Sequence, residues 1–406
     1  MTDHDDARIL TINTGSSSLK IALYHVSHRD EGTTEELELQ AGAARIGAPD
    51  SRLHVEDADG HSLFAHQGAL SDHAAALGAF LDWLRGRGDA SRPDAAGHRV
   101  VFGGSRYREP QLVSDEVVAA LRDLVPIDPD HLPQALDAIE ATRRAYPAIP
   151  EAACFDTAFH RHMPRMARQY ALPREIEDAG VARYGFHGLS YEYVVGELRA
   201  LDPAAAAGRV VVAHLGNGAS MAAVCGGVGI DTTMGFTPTG GLVMGTRSGD
   251  LDPGVMLYLL QERDMDAAAL STLVNKRAGM LGVSGASSDM QDLLDREADD
   301  ERAAEAVALF CYSAKKYLGA LVAALGGLDA LVFTGGIGEH AAPVRERVCA
   351  GLGFLGIDID PARNGANAPV ISRDGAPVPV RVIKTNEDLM IARHTYSLMS
   401  QGQRGS

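Results

Sequence analysis

The sequence predicts an α/β protein built in two halves, and three stretches carry that reading. In each, an apolar strand runs directly into a turn rich in glycine or hydroxyl residues. Ile9–Asn13 leads into Thr14-Gly15-Ser16-Ser17-Ser18, Val212–His214 into Leu215-Gly216-Asn217-Gly218, and Asp329–Thr334 into Gly335-Gly336-Ile337-Gly338. Ligands gather at the carboxyl ends of strands in open α/β sheets. Glycine lets the backbone approach an anion there, and successive N–H groups form a nest for phosphate oxygens.

Composition sets the limits. At 406 residues the chain is long enough for two or three ordinary domains. Its 37 Lys and Arg against 54 Asp and Glu leave a formal charge of −17, which argues against general nucleic-acid binding. An anionic ligand must therefore meet cations placed locally. No run of about 18 uncharged apolar residues suggests a membrane span, and the start, MTDHDDARILTIN, lacks the basic and apolar regions of a leader. Cys154, Cys225, Cys311 and Cys349 lie far apart, with no C-x-x-C, so neither a zinc knuckle nor a disulfide framework is indicated. A reducing cytoplasm fits.

In chain order, Ile9–Asn13 runs into a turn of Gly and Ser, and Leu19–Leu23 returns with period-two alternation, which reads as a hairpin. The turn is not a Walker A loop: Leu19 rather than Gly precedes Lys20, and a strand rather than a helix follows. Residues 30–68 read as meandering strands and 71–85 as a helix capped by Ser or Asp. Ala96–Gly104 is a strand carrying Arg99, a costly guest in an apolar run unless it is paired or faces a cleft. Two helices span 114–145, separated by the Pro-rich Val125–Pro133. Ala152–Thr157 is a strand delivering Asp156 at its carboxyl end.

Arg183–Gly188 is a Gly-bounded loop presenting His187, with a helix after it to about Ala200. His160-Arg161-His162 has no third nearby ligand and reads as a solvated face. The stretch Val212–Pro253 holds two short strands and then DTTMGFTPTGGLVMGTRSGD, crowded with Thr, Ser and Gly and with Arg247 as its only cation. A functionless loop of that length is uncommon in a compact domain. Helices are expected at 254–263, 266–276 and about 301–325, with a hydroxyl-rich turn at Gly282–Asp289. The Gly335–Glu339 turn lacks the G-x-G-x-x-G spacing, and no strand–helix–strand start is expected around it. Val380–Ile383 is a strand, and Lys384–Asp388 caps a final helix.

Read together, INTGSSSLK, GHRVV with its Gly pair, FDTAFH, RYGFHG, HLGNG, DTTMGFTPTGGLVMGTRSGDLDP, SGASSDM, FTGGIGE and TNED closely resemble the acetate kinase family, which includes propionate and butyrate kinases. The resemblance runs from about residue 8 to 395. It implies two actin-like, sugar-kinase-type (ASKHA, ribonuclease H-like) α/β domains closing over a nucleotide cleft. Residues 1–157 with 388–406 would form the N-terminal domain, and 158–387 the C-terminal nucleotide-binding and dimerisation domain. It further implies a cytoplasmic homodimer with no nucleic-acid or membrane partner. The reaction implied is reversible, Mg2+-dependent transfer of the ATP γ-phosphoryl group to acetate, giving acetyl phosphate and ADP, with Mn2+ as the alternative ion.

Site residues follow from the same resemblance. Asp156, Arg99, Arg247 and His187 would be catalytic, the last two stabilising the transition state. Arg99, Val101, Phe186, Pro238 and His131 would contact the acid, and Asn13 and Glu387 would hold the metal, with Asp156 as an acidic partner. Lys20, Ser16, Ser18, His214, Leu215, Gly216, Asn217, Gly218, Asp289, Met290, Gln291, Gly335, Gly336, Ile337 and Gly338 would bind ATP. The chemistry is consistent. A carboxylate acceptor with a pKa near ~4 is already ionised and needs no general base. It needs relief from repulsion by the phosphoryl group, which guanidinium groups supply.

The chain departs from the family at Phe102, where a second histidine is usual, and at Gln291 and His340 on the nucleotide side. Asp130 stands where an apolar residue normally borders the acyl pocket. Two alternatives follow: a kinase for propionate, butyrate or a hydroxy acid, or a nucleotide-dependent switch protein on the same fold.

Overall fold

A computed structural model describes residues 6–15, 18–29 and 32–404. The chain forms two compact units, Met1–Ala158 with Asn386–Ser406, and Phe159–Thr385. Glu387, expected at the close of the second domain, lies in the first unit.

The first unit is built on an eight-stranded sheet. Its strands are β1 (Asp6–Thr14), β2 (Ser18–Arg29), β3 (Gly32–Ala44), β4 (Arg52–Asp57), β5 (Ser62–Gln67), β6 (Ala95–Val100), β7 (Gln111–Leu112) and β8 (Glu151–Phe155), in the order β5-β4-β3-β2-β1-β6-β8-β7. β1 to β5 run antiparallel as a meander, whereas β1, β6 and β8 are parallel neighbours. β1 shows why both faces are covered, since successive side chains of a strand point to opposite sides. Its Leu10 and Ile12 pack with Leu77 and Phe80 of the helix His73–Gly86. Its Ala7 and Ile9 pack with Ala392 of the terminal helix Glu387–Arg404. The helix His73–Gly86 starts where Asp72 accepts a hydrogen bond from the Ala75 N–H, the local reason for its boundary.

The second unit holds β9 (Arg209–Leu215), β10 (Ala219–Cys225), β11 (Val228–Thr232), β12 (Ala330–Thr334) and β13 (Val380–Val382), in the order β11-β10-β9-β12-β13. β9 to β11 are antiparallel, and β9, β12 and β13 are parallel. The first unit has the same five-strand core in β3-β2-β1-β6-β8. The helix Gly188–Leu201 packs through Tyr191, Val194 and Leu198 against Val210, Val212 and Ala222 of this sheet. The helix Glu301–Leu325 is long and apolar enough to cross a membrane. Nevertheless Ala303, Val307, Phe310, Ala314, Leu318 and Leu321 are buried within the unit, which accounts for its apolar stripe.

Two local expectations are corrected. Gly282–Ser284, expected in a turn, ends the short helix Gly279–Ser284. The glycines after β12 are the first turn of the helix Gly335–His340, and β12 pairs in parallel with β13 beyond it, so a strand–helix–strand crossover does surround them. Residues 233–252 contain no helix or strand.

Candidate active site

In the first unit, the parallel strands bring Arg99, Asp156 and Asn13 to one end of the sheet. Arg99 lies in β6, Asn13 near the end of β1, and Asp156 directly after β8. Arg99 Nε and Nη2 donate to the two carboxylate oxygens of Asp156 at 3.0 and 2.6 Å. Its Nη1 donates to Asn13 Oδ1 at 3.0 Å and lies 3.7 Å from Glu387 Oε2. Asn13 Nδ2 in turn donates to Glu387 Oε2 at 3.0 Å. Arg99 is thus not the isolated cation its Gly-rich setting suggests. Burial disfavours its charge, but Asp156 and Glu387 outweigh that and hold its pKa above the ordinary value. Burial raises the Asp156 carboxyl, with Arg99 opposing the rise.

Asp388 belongs to the same cluster, although its place in TNED suggests only a helix cap. Burial and the adjacent Glu387 push its carboxyl up to about 6, against the pull of Lys20, Asn13 and Arg99. Its Oδ1 is buried without a hydrogen-bond partner among the described residues. The oxygens of Asn13, Asp156, Glu387 and Asp388 are a hard, anionic donor set of the kind Mg2+ takes, and the unpartnered Oδ1 has room in its coordination for a cation. These residues fit a divalent metal. Nearby, His131 Nδ1 pairs with Asp128 Oδ1 at 2.7 Å. Val101 is buried just past β6, and Asp130 is half-buried in the turn before the helix Leu132–Ala145. Lys20 and Ser18 are exposed on β2, with Lys20 opposite Asn13 in register. Ser16 lies outside the described residues.

In the second unit, His187 caps the helix Gly188–Leu201 in the left-handed conformation, φ 58°, a strained choice for a non-glycine residue. His160 helps hold it there: its Nε2 is 3.0 Å from the Phe186 carbonyl oxygen. His160 is 1% exposed, so only His162 of that pair lies on a solvated face. Burial pushes the His160 pKa down to about 4, leaving a neutral ring whose Nε2–H donates. The His187 and His214 rings stack with centroids 4.3 Å apart. A methyl group placed on Gly218 would lie 3.3 Å from His187 Nε2 and 3.6 Å from Arg247 Nη1, so both side chains converge on this glycine turn.

The 233–252 segment is held from within. Arg183 Nη1 faces the carbonyl oxygens of Thr232, Thr233 and Met234 at 3.3, 3.1 and 3.0 Å. Asp250 accepts the Gly241 N–H at 2.7 Å and the Tyr317 hydroxyl. Arg247 donates to the Pro238 carbonyl at 3.2 Å, so Pro238 orients the guanidinium through its backbone. Gly245 has no room for a side chain: a Cβ there would lie 1.9 Å from Asn217 Oδ1.

The residues expected to bind the nucleotide surround a cavity of about 470 Å³, lined by Gly216, Asn217, Asp289, Met290, Gln291, Gly336 and Ile337, together with Ser288, His340 and Ala341. Ser288 and Ala341 carry no signal of their own in the sequence, whereas His340, which departs from the family after the GIGE turn, does line this cavity. Its volume lies in the usual range for small-molecule sites. Gly335 adopts φ +77°, and a Cβ on it would lie 2.7 Å from the Leu215 carbonyl, so the two glycine turns abut. Leu215 and Gly338 are buried beside them.

The comparisons agree with this architecture along nearly the whole chain. Residues 8–393 match the Acetokinase family. An acetate kinase of Methylocella silvestris is 46% identical over 399 residues, covering 97% of this chain and 98% of that one. An acetate kinase of Rhodopseudomonas palustris is 47% identical over 403 residues, with 97% and 99% covered. Among solved structures, Porphyromonas gingivalis acetate kinase superposes with a TM-score of 0.84 at 37% identity, covering 97% and 100% of the two chains. A Francisella tularensis propionate kinase reaches 0.88 at 33% identity, with the same coverage. With its two sheets repeating one strand order and a family match from residue 8 to 393, the chain belongs to the acetokinase family.

Proposed function

We propose that this chain is an acetate kinase, transferring the γ-phosphoryl group of ATP directly and reversibly to acetate to give acetyl phosphate and ADP. One observation carries the choice of acceptor: both carboxylate oxygens of Asp156 are occupied by Arg99. A hydroxyl acceptor needs a base to take its proton, and a carboxylate bound at both oxygens to a guanidinium is a poor one. A carboxylate acceptor has no proton to lose. Asp156 then serves by aiming Arg99, whose charge offsets repulsion between the acid and the phosphoryl oxygens.

In the second unit, Arg247 and His187 donate to the phosphoryl oxygens as charge develops on them. The turns at Gly216–Gly218 and Gly335–Ile337 hold the phosphates through backbone N–H groups, and the cavity at Asp289–Gln291 takes the adenosine. Asn13 and Glu387, with Asp156 and Asp388 beside them, would hold Mg2+, which neutralises phosphate charge when bound. The cytoplasm suits four free cysteines. A homodimer is supported by the helix Pro253–Glu262, which buries none of its residues despite its apolar sequence.

The likeness to a propionate kinase and the half-buried Asp130 favour one second reading, a different short-chain acid. A panel of acids with ATP and Mg2+, read by trapping the acyl phosphate with hydroxylamine, decides between them. Acetate or propionate is expected to give the highest kcat/KM, and Asp130→Leu to change the KM for acetate less than about tenfold, because like charges about 6 Å apart repel by roughly 3 kcal/mol only when both face the pocket. A hydroxy acid outrunning acetate sinks the substrate assignment, and ATP hydrolysis indifferent to every acid sinks the kinase.

A further inference from the structure

We propose that two short chains of hydroxyl groups, Tyr191–Ser220 and Thr385–Ser190, fix His187 and His214 as Nε2–H tautomers and are positioning elements for those two donors. The inference rests on the reading of the glycine turns as the phosphate side.

The arrangement is reciprocal. The helix Gly188–Leu201 supplies Ser190 and Tyr191 from its first turn, and β9 and β10 place His214 and Ser220 directly opposite each other. Tyr191 Oη lies 2.5 Å from Ser220 Oγ, which lies 2.8 Å from His187 Nδ1. Thr385 Oγ1 donates to Ser190 Oγ at 2.8 Å, and Ser190 Oγ lies 2.8 Å from His214 Nδ1. Each histidine is therefore held by a serine from the other element, and each serine by a second hydroxyl.

Distances alone leave the direction open, but the hydrogens decide it. Tyr191, Ser190 and Ser220 are fully buried, so each of their hydroxyl hydrogens needs an acceptor within the protein. Burial keeps the Tyr191 phenol protonated by raising its pKa. Ser220 Oγ is its hydrogen-bond partner among the described residues. With Tyr191 donating to Ser220, the serine hydrogen passes to His187 Nδ1. In the opposite direction, with His187 Nδ1–H donating, the phenol hydrogen is left buried and unbonded. The second chain runs the same way, from Thr385 through Ser190 to His214.

A neutral imidazole that accepts at Nδ1 carries its hydrogen at Nε2. Both Nε2 atoms face the glycine turns. His187 Nε2 lies 3.3 Å from the position a Cβ would take on Gly218, and His214 Nε2 lies 3.2 Å from that on Gly335. The chains thus present two N–H donors, and no lone pair, to the phosphate side.

Nitrogen-15 labelling of histidine reads this directly. Long-range proton–nitrogen spectra of the full-length protein, with rings assigned through His187→Gln and His214→Gln, are expected to show both in the Nε2–H form at pH 7.5. Ser220→Ala removes the hydroxyl that donates to Nδ1 and leaves Tyr191 in place. It is expected to release His187 from the Nε2–H form into a mixture of tautomers and to lower kcat about ten- to hundredfold, the scale of a misplaced transition-state donor. The KM for acid should stay within about twofold of its original value. Ser190→Ala is expected to do the same to His214, whereas Ser220→Thr and Ser190→Thr, which keep the hydroxyl, should retain the original form. An Nδ1–H form for either ring in the unaltered protein overturns the proposal, as does a Ser220→Ala spectrum identical to the original. The spectra report tautomers without reference to turnover, so the hydroxyl chains are tested even if the acid assignment fails.

Discussion

Arg99 shows how one side chain carries an argument from strand order to chemistry. Three parallel strands end together, so Asn13, Arg99 and Asp156 meet although 86 and 57 residues separate Arg99 from its two partners. A guanidinium bound at both Nε and Nη2 by one carboxylate is locked in orientation, and lysine cannot reproduce that fork. Arg99→Ala and Arg247→Ala are each expected to lower kcat about 10³-fold or more, with ATP affinity measured by calorimetry changed little. Near-normal turnover in either variant removes that residue from the transition state. His160 yields a prediction of another kind. Its folded pKa of about 4 lies below the ordinary 6.5, so the unfolded chain binds the extra proton first as pH falls. Stability from this residue is complete above about pH 6.5 and is lost towards pH 4, by about 2 kcal/mol between pH 7.5 and 5. Urea unfolding at both pH values should show that loss diminished in His160→Gln, and an equal loss in both proteins rules the residue out. Arg99, Asp156 and His187 were legible because glycines and strand ends flag them. Asp388, Arg183 and His160 were not, because their roles come from burial against distant segments, which local pattern does not encode.

Strands and helices were more legible than the irregular segment they frame. Alternation marked β2, an apolar run marked β9, and the long helix expected at about 301–325 is Glu301–Leu325. The Gly282–Ser284 misreading has a simple cause: serines and glycines signal turns, yet packing of Met280 and Ser284 holds them helical. In residues 233–252 sequence could signal importance but not shape, since no periodic hydrogen bonding defines it. Its path is fixed by Arg183 on three consecutive carbonyls and by the contact of Gly245 with Asn217. Gly245→Ala therefore tests the segment as a unit. The added methyl must displace Asn217 or the loop, and Asn217 lines the cavity proposed for the nucleotide. The KM for ATP is expected to rise at least about tenfold, with secondary structure by circular dichroism unchanged, since the loss is local positioning rather than fold. An unaltered KM means the loop tolerates displacement and does not set the nucleotide site.

The repeat of one five-strand order in both units means that each builds its core the same way, yet they differ in what they leave outside. In the second unit the helix Pro253–Glu262 turns Leu257 and Tyr258 to solvent at 54% and 52% exposure, and the helix Glu301–Leu325 exposes Leu309 and Tyr312. Single exposed apolar residues are ordinary, but an entire apolar helix with no buried member is not. A strongly acidic chain gains solubility from its charge of −17, so an apolar face kept against that background calls for a covering partner. A second copy is the partner consistent with the proposed dimer, and a two-fold interface would set this helix against its own counterpart. Replacing Leu257 and Tyr258 together with glutamate would then place like charges across the axis. Light scattering after size exclusion should give about 43 kDa for the variant, from the 42.9 kDa chain, and twice that for the original protein. Both substitutions lie on exposed positions, so the helix content and the unit's own core should persist, and circular dichroism checks that they do. A variant that remains dimeric places the interface elsewhere on the surface; an original protein that is already monomeric leaves the helix Pro253–Glu262 without the role assigned to it.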